Sequence, residues 1–232
     1  GHEMLDLSRE NMRWALQAMG VLLLSICVHE YGHALIADKL GDDLPRKQGR
    51  LTLNPLAHAD PIGTLLFPLI GLLYAGAPRF GWGKPVQTLP SRYTRRFEMR
   101  TGHMFVALAG PCMNLLFGTF LAILHVTLLA THVLPMDMAH PGNKLFSYAV
   151  GLNYILFFFN LVPAPPLDGG AVVEGLLPRK HLAGWQKISV YGPFVLMGLI
   201  LIPGMSRIFA GTVIPEAGVS SAVTDSRKRP IR

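Results

Sequence analysis

An all-α polytopic membrane protein, with about five to six hydrophobic segments, a short membrane-associated β-hairpin and a re-entrant stretch, is the fold class that this sequence predicts. Three observations predict it. Half of the 232 residues are hydrophobic and only 15% are charged, against roughly a quarter in an average soluble chain. The stretches 14–29, 101–136, 145–167 and 188–206 contain no Asp, Glu, Lys or Arg, and a hydrocarbon core about 30 Å thick needs about 20 such residues per helix. The basic residues, finally, lie between the apolar stretches and not along one amphipathic face.

The elements follow in order. Gly1-His2-Glu3 before Met4 reads as a scar of tag removal, and residues 1–13 form a polar lead-in with no signal-peptide cleavage site after it. A single transmembrane domain is expected over 14–212, opening with a helix from Trp14 to Lys39. Residues 40–60 form a loop in which Leu51-Thr52-Leu53 alternates with the period of a strand, the seed of the expected hairpin. The uncharged stretch Pro61 to Pro78 is short and interrupted by proline and glycine, which fits a re-entrant segment packed against protein. A basic loop over 79–100 precedes helices expected at 103–132, 145–162 and 187–210. Pro163-Ala164-Pro165-Pro166 ends the second of these, because proline lacks a donor and its ring clashes with the preceding turn. The polar, basic residues 213–232 are expected to be disordered.

The net charge of +7 would invite a nucleic-acid reading in a soluble chain. Here the cations flank apolar segments, so the expected partner is anionic lipid of the bilayer and no nucleic acid. Cys27 and Cys112 both sit in apolar runs and build no disulfide framework.

The chemistry concentrates in His29-Glu30-Tyr31-Gly32-His33, an H-E-x-x-H pattern on the first helix. A spacing of four puts both imidazoles on one helical face, able to hold one Zn²⁺, with Glu30 placed to reach a metal-bound water. Ionisable side chains within a membrane segment are costly and point to function. A catalytic zinc usually has three protein ligands. Asp168, in Pro165-Pro166-Leu167-Asp168-Gly169-Gly170, is the leading third candidate, since broken backbone and glycines let a carboxylate approach a metal held by another helix. The competing role for Asp168 is a helix cap. Glu174 and Asp60 are alternative ligands, Asp60 reading better as a cap. Asn114 is a candidate donor or an interhelical hydrogen-bonding residue, and His58 a candidate for a polar route or a solvated loop histidine.

With Asn160-Leu161-Val162-Pro163-Ala164-Pro165-Pro166-Leu167-Asp168-Gly169 following that early pattern, the chain resembles the site-2 protease family of intramembrane zinc metalloproteases, peptidase family M50. Asn54 to Gly63, Phe80 to Val86 and Ala109 to Asn114 are further similar pieces. The resemblance spans about residues 14–180. It implies one zinc per chain held by His29, His33 and Asp168, zinc-bound water activated by Glu30, and an active-site hydrogen bond from Asn160. It also implies hydrolysis of peptide bonds in or near transmembrane helices of membrane-protein substrates. No regulatory PDZ or cystathionine-synthase-type module is read in the chain, and the sequence leaves the oligomeric state open. Other readings of the same residues are a different membrane zinc hydrolase and a metal transporter.

Topology follows from requiring one zinc site. For Asp168 to meet the histidines, the first helix and the 145–162 helix must run the same way, so Pro61–Pro78 should make no net crossing. Residues 39–60 and 79–100 carry four and six Lys/Arg, and 133–144 only Lys144. The positive-inside rule then places both basic loops and the site toward the cytoplasm, in a multi-pass protein of a prokaryotic cell membrane.

Overall fold

The structure is a computed structural model and describes residues 9–66, 83–194 and 198. Helix α1 runs from Arg9 to Lys39, followed by two single turns, α2 (Leu44–Lys47) and α3 (Pro55–His58). A π-helical turn covers Pro61–Leu66 and a 3-10 turn Pro90–Arg92. The long helix α4 (Met99–Ala130) precedes α5 (Pro141–Asn160), α6 (Asp168–Leu176) and α7 (Arg179–Ser189). Helix α4 is the hub and packs against α1, α5 and α6.

At about 1.5 Å per residue, the 31 residues of α1 and 32 of α4 exceed the thickness of a hydrocarbon core. Both are apolar enough to cross a membrane, α1 over Met12–Lys39. The distribution of side chains in the bundle agrees with a bilayer as solvent. Ser25, Asn114 and Asn153 are fully buried, as are the small Ala18, Ala34 and Ala37. Large apolar side chains face outward, including Leu116, Phe120, Ile123 and Val126, the last 65% exposed. With lipid outside, helices associate through close contact of small residues and internal hydrogen bonds.

Two expectations about the fold are corrected. Five to six hydrophobic segments were expected, whereas two candidate spans occur among the described residues. Helix α5 has about the length of a span, but Asn143, Lys144, Asn153 and Asn160 lower its hydropathy below that of a spanning helix. Most of 61–78, the expected re-entrant stretch, lies outside the described residues, as do most of 187–210 and all of the 213–232 tail. The expected β-hairpin is absent: no strand occurs among the described residues, and Leu51 and Thr52 form a bend. The carbonyl of Thr52 accepts a hydrogen bond from His58 Nε2 at 2.9 Å, and its hydroxyl accepts from the Asn54 N–H at 3.1 Å. Those local bonds use the groups that a strand partner would need, and three alternating residues are too few to outweigh them.

Asp168 reaches the bundle by close packing of backbone on backbone. The chain leaves α5 at Asn160 and turns back through the proline-rich segment into α6. A Cβ on Gly169 would collide with the carbonyl oxygens of Leu161 and Val162, so only glycine lets the start of α6 lie against the end of α5.

Candidate metal centre

His29 and His33 stand one turn apart on α1, and their rings are oriented from α4. His33 Nδ1 donates to the carbonyl of Val106 at 2.7 Å, and His29 Nδ1 to Asn114 Oδ1 at 2.7 Å. Pro111, within α4, has no N–H to offer the Ala107 carbonyl, and it lies between these two anchoring positions. With each Nδ1 carrying the proton, each Nε2 presents a lone pair. The two Nε2 atoms are 3.0 Å apart.

Asp168 is brought to the same point. Its Oδ2 lies 3.1 Å from His29 Nε2 and 3.5 Å from His33 Nε2, buried and without a hydrogen bond of sound geometry. Asp168 occupies the first position of α6 behind Leu167 and makes no side-chain cap.

Three electron-pair donors from two helices thus converge without a hydrogen for each contact. A proton can bridge two of them, whereas a cation among them satisfies all three. Tetrahedral zinc with ligands at about 2.0–2.1 Å separates ligand atoms by about 3.3 Å, and the observed separations of 3.0, 3.1 and 3.5 Å bracket that value. The residues present therefore fit a zinc ion. Gly110 of α4 keeps the space clear: a Cβ there would sit 2.7 Å from His29 Nε2 and against His33 Nε2.

Glu30 flanks the histidines, its carboxylate within 4.8 Å of their ligand atoms. Its Oε2 accepts a hydrogen bond from the Val86 N–H at 2.8 Å. The Val86 segment is fastened beside it, the Lys84 N–H donating to the His58 carbonyl at 2.9 Å and Arg50 Nη1 to the Ala57 carbonyl at 2.5 Å. Val86 was read only as the end of the Phe80–Val86 piece and Arg50 only as one of the loop's basic residues; their contacts beside Glu30 were not foreseen, and a backbone donor leaves no mark on residue type.

The remaining candidates are engaged in other hydrogen bonds. Asn160 Nδ2 donates to the Leu156 carbonyl within α5 at 2.9 Å. Glu174 accepts from Gln186 Nε2 at 3.5 Å. Asp60 caps the amides of Ile62 and Gly63. His58 is buried against the Thr52 carbonyl, which makes it a loop fastener and not a solvated histidine. Asn153, which the sequence reading passed over, lies against Asn114; an amide in the middle of an apolar helix was the available signal.

Comparison with known proteins agrees with this chemistry. The model of Peptidase family M50 matches residues 136–200. YwhC of Bacillus subtilis (strain 168), named as a zinc metalloprotease, is 39% identical over 191 residues, covering 78% of each chain. Rip2 of Mycolicibacterium smegmatis, named likewise, is 29% identical over 86% of this chain and 73% of its own. Rip2 of Mycobacterium tuberculosis (strain H37Rv) is 30% identical over 82% and 69%. No solved structure gives a significant match.

Proposed function

The chain belongs to peptidase family M50, and from that premise we propose that this zinc metalloprotease hydrolyses peptide bonds in or near transmembrane helices of membrane-protein substrates. The convergence of His29 Nε2, His33 Nε2 and Asp168 Oδ2 carries the reading. These three residues would hold one zinc ion, which when bound polarises a scissile carbonyl and makes water acidic enough to deprotonate near neutral pH.

Glu30 is the general base. Its position next to the histidines lets one carboxylate oxygen take a proton from the attacking water while the other stays on the Val86 N–H. The same carboxyl then delivers that proton to the leaving amine. Asn160 supplies a neutral donor to the developing oxyanion by releasing the Leu156 carbonyl. The bundle supports a membrane substrate: the outward face of α4 is apolar, while its inward face carries Gly110 and Asn114 beside the ligands. A helical substrate hides its carbonyls in i to i−4 bonds and must be extended locally before attack. The basic loops at 39–60 and 79–100 support a multi-pass arrangement with the site toward the cytoplasm.

Glu30→Gln tests this function. The amide keeps the shape and the Val86 contact but accepts no proton, so zinc should be retained while cleavage of a transmembrane substrate falls by about 10²–10⁴-fold. Cleavage at the parent rate would overturn the assignment of the base. Faster cutting of a strongly helical poly-Leu substrate than of one with Gly near the scissile bond would overturn the need for unwinding.

A further inference from the structure

A ladder of buried amides leads away from His29 into the helix bundle, and its polarity can be read from the far end. Asn153 Nδ2 lies 2.9 Å from the Ala149 carbonyl and 3.0 Å from Ser25 Oγ. A carbonyl only accepts. The Ser25 hydroxyl proton is committed to the Val21 carbonyl at 2.8 Å, so Ser25 Oγ accepts as well. The NH₂ of Asn153 must therefore face these two, which turns its Oδ1 toward Asn114.

Asn114 Nδ2 then donates to Asn153 Oδ1 at 2.9 Å and to the Ser25 carbonyl at 3.0 Å, and its own Oδ1 faces His29 Nδ1. An oxygen at that place requires the imidazole proton on Nδ1 and frees Nε2. Ser25, Asn114 and Asn153 are all fully buried, so solvent offers no substitute partners, and an inverted amide anywhere along the ladder would set two acceptors or two donors face to face.

We propose that Asn153 is a positioning residue of the zinc centre, acting through Asn114 to fix His29 as the Nδ1–H tautomer whose Nε2 lone pair meets the metal. The proposal rests on the reading of His29 as a ligand. Metal-ligating histidines are commonly oriented by the partner of their other nitrogen, and loss of that partner costs 10- to 100-fold in metal affinity. Asn153 acts one step further out, and without it only one of the two acceptors that orient the Asn114 NH₂ remains, the Ser25 carbonyl.

The test compares Asn153→Leu with Asn153→Asp in the full-length, detergent-solubilised protein. Leucine matches the volume but breaks the ladder. Aspartate, buried as the neutral acid, donates its O–H to the Ala149 carbonyl and accepts from Asn114, preserving the polarity. Zinc affinity by chelator competition should fall about tenfold in Asn153→Leu, the lower end of the range for outer partners, and stay close to the parent in Asn153→Asp. In zinc-free protein labelled with ¹⁵N-histidine, the His29 ring, assigned by its absence in His29→Gln, should be the Nδ1–H form in parent and Asn153→Asp and a mixture in Asn153→Leu. A residue that merely packs gives the opposite order, because leucine fills an apolar interior better than an acid. Parent-like affinity and tautomer in Asn153→Leu would overturn the proposal. A parent that binds no zinc would instead overturn the ligand reading, and the tautomer populations would still decide whether Asn153 sets the ring.

Discussion

Gly110→Ala is the smallest change that should dismantle the proposed metal centre. Gly110 lies within α4, where alanine is favoured over glycine by roughly 0.5–1 kcal/mol, so the helix itself has no reason to weaken. The added Cβ, however, would sit 2.7 Å from His29 Nε2, where ordinary contact begins at 3.4 Å. One ring must move by about 0.7 Å, the difference of those distances, and His33 Nε2 is still closer to the new methyl. Zinc sites hold their ligand distances within about 0.2 Å, so at least one imidazole leaves its bonding position. Zinc affinity is expected to fall by 100-fold or more, above the 10- to 100-fold of an outer-partner loss, with thermal stability in chelator lowered only by the roughly 1–3 kcal/mol of local overpacking. Chelator competition and thermal melts of parent, Gly110→Ala and Gly20→Ala measure this, since a Cβ on Gly20 meets nothing within 4 Å. Parent-like zinc affinity in Gly110→Ala would refute the placement of the ligand rings against α4.

Asp168→Ala should weaken zinc binding and abolish hydrolysis while leaving the helix content unchanged; full zinc occupancy at limiting metal would remove Asp168 from the ligand set. Asn160→Ala should lower kcat by about 10²–10³-fold, the usual cost of one oxyanion donor, with zinc content and KM little changed; a change confined to KM would make it a binding residue. Single cysteines at positions 48 and 91, in a background lacking Cys27 and Cys112, should resist an impermeant thiol reagent on intact cells, while one at 138 should label. Labelling at 91 but not 48 would show that the segment between them crosses the membrane.

The convergence of His29, His33 and Asp168 was legible where it depends on short-range geometry. His29 and His33 share a face because a helix turns in 3.6 residues, and the prolines and Gly169 around Asp168 announced a backbone able to approach another helix. Long-range partners were not legible. Nothing in Val86 marks its amide as the one that meets Glu30, and the pairing of Asn153 with Asn114 depends on how α5 packs on α4. The expected hairpin failed because alternation in Leu51-Thr52-Leu53 measures a preference of about 1 kcal/mol at most, less than the local bonds around Thr52 provide. Hydropathy overstated the spans because 145–162 was scored by its lack of charge, while Asn153 and Asn160 are as much polar cargo as helix filler.

The bond from Val86 to Glu30 has a thermodynamic consequence for turnover. A free glutamate side chain carries rotamer entropy worth up to about 1.5–2 kcal/mol on freezing. With one carboxylate oxygen already tied to a fixed backbone amide, much of that loss is incurred once, when the chain folds, and does not recur at each catalytic cycle. In the proposed mechanism the stiffness of Glu30 is thereby lent by a loop that contributes no reactive group of its own, and loosening that loop should raise the entropic part of the activation barrier while leaving zinc binding unchanged.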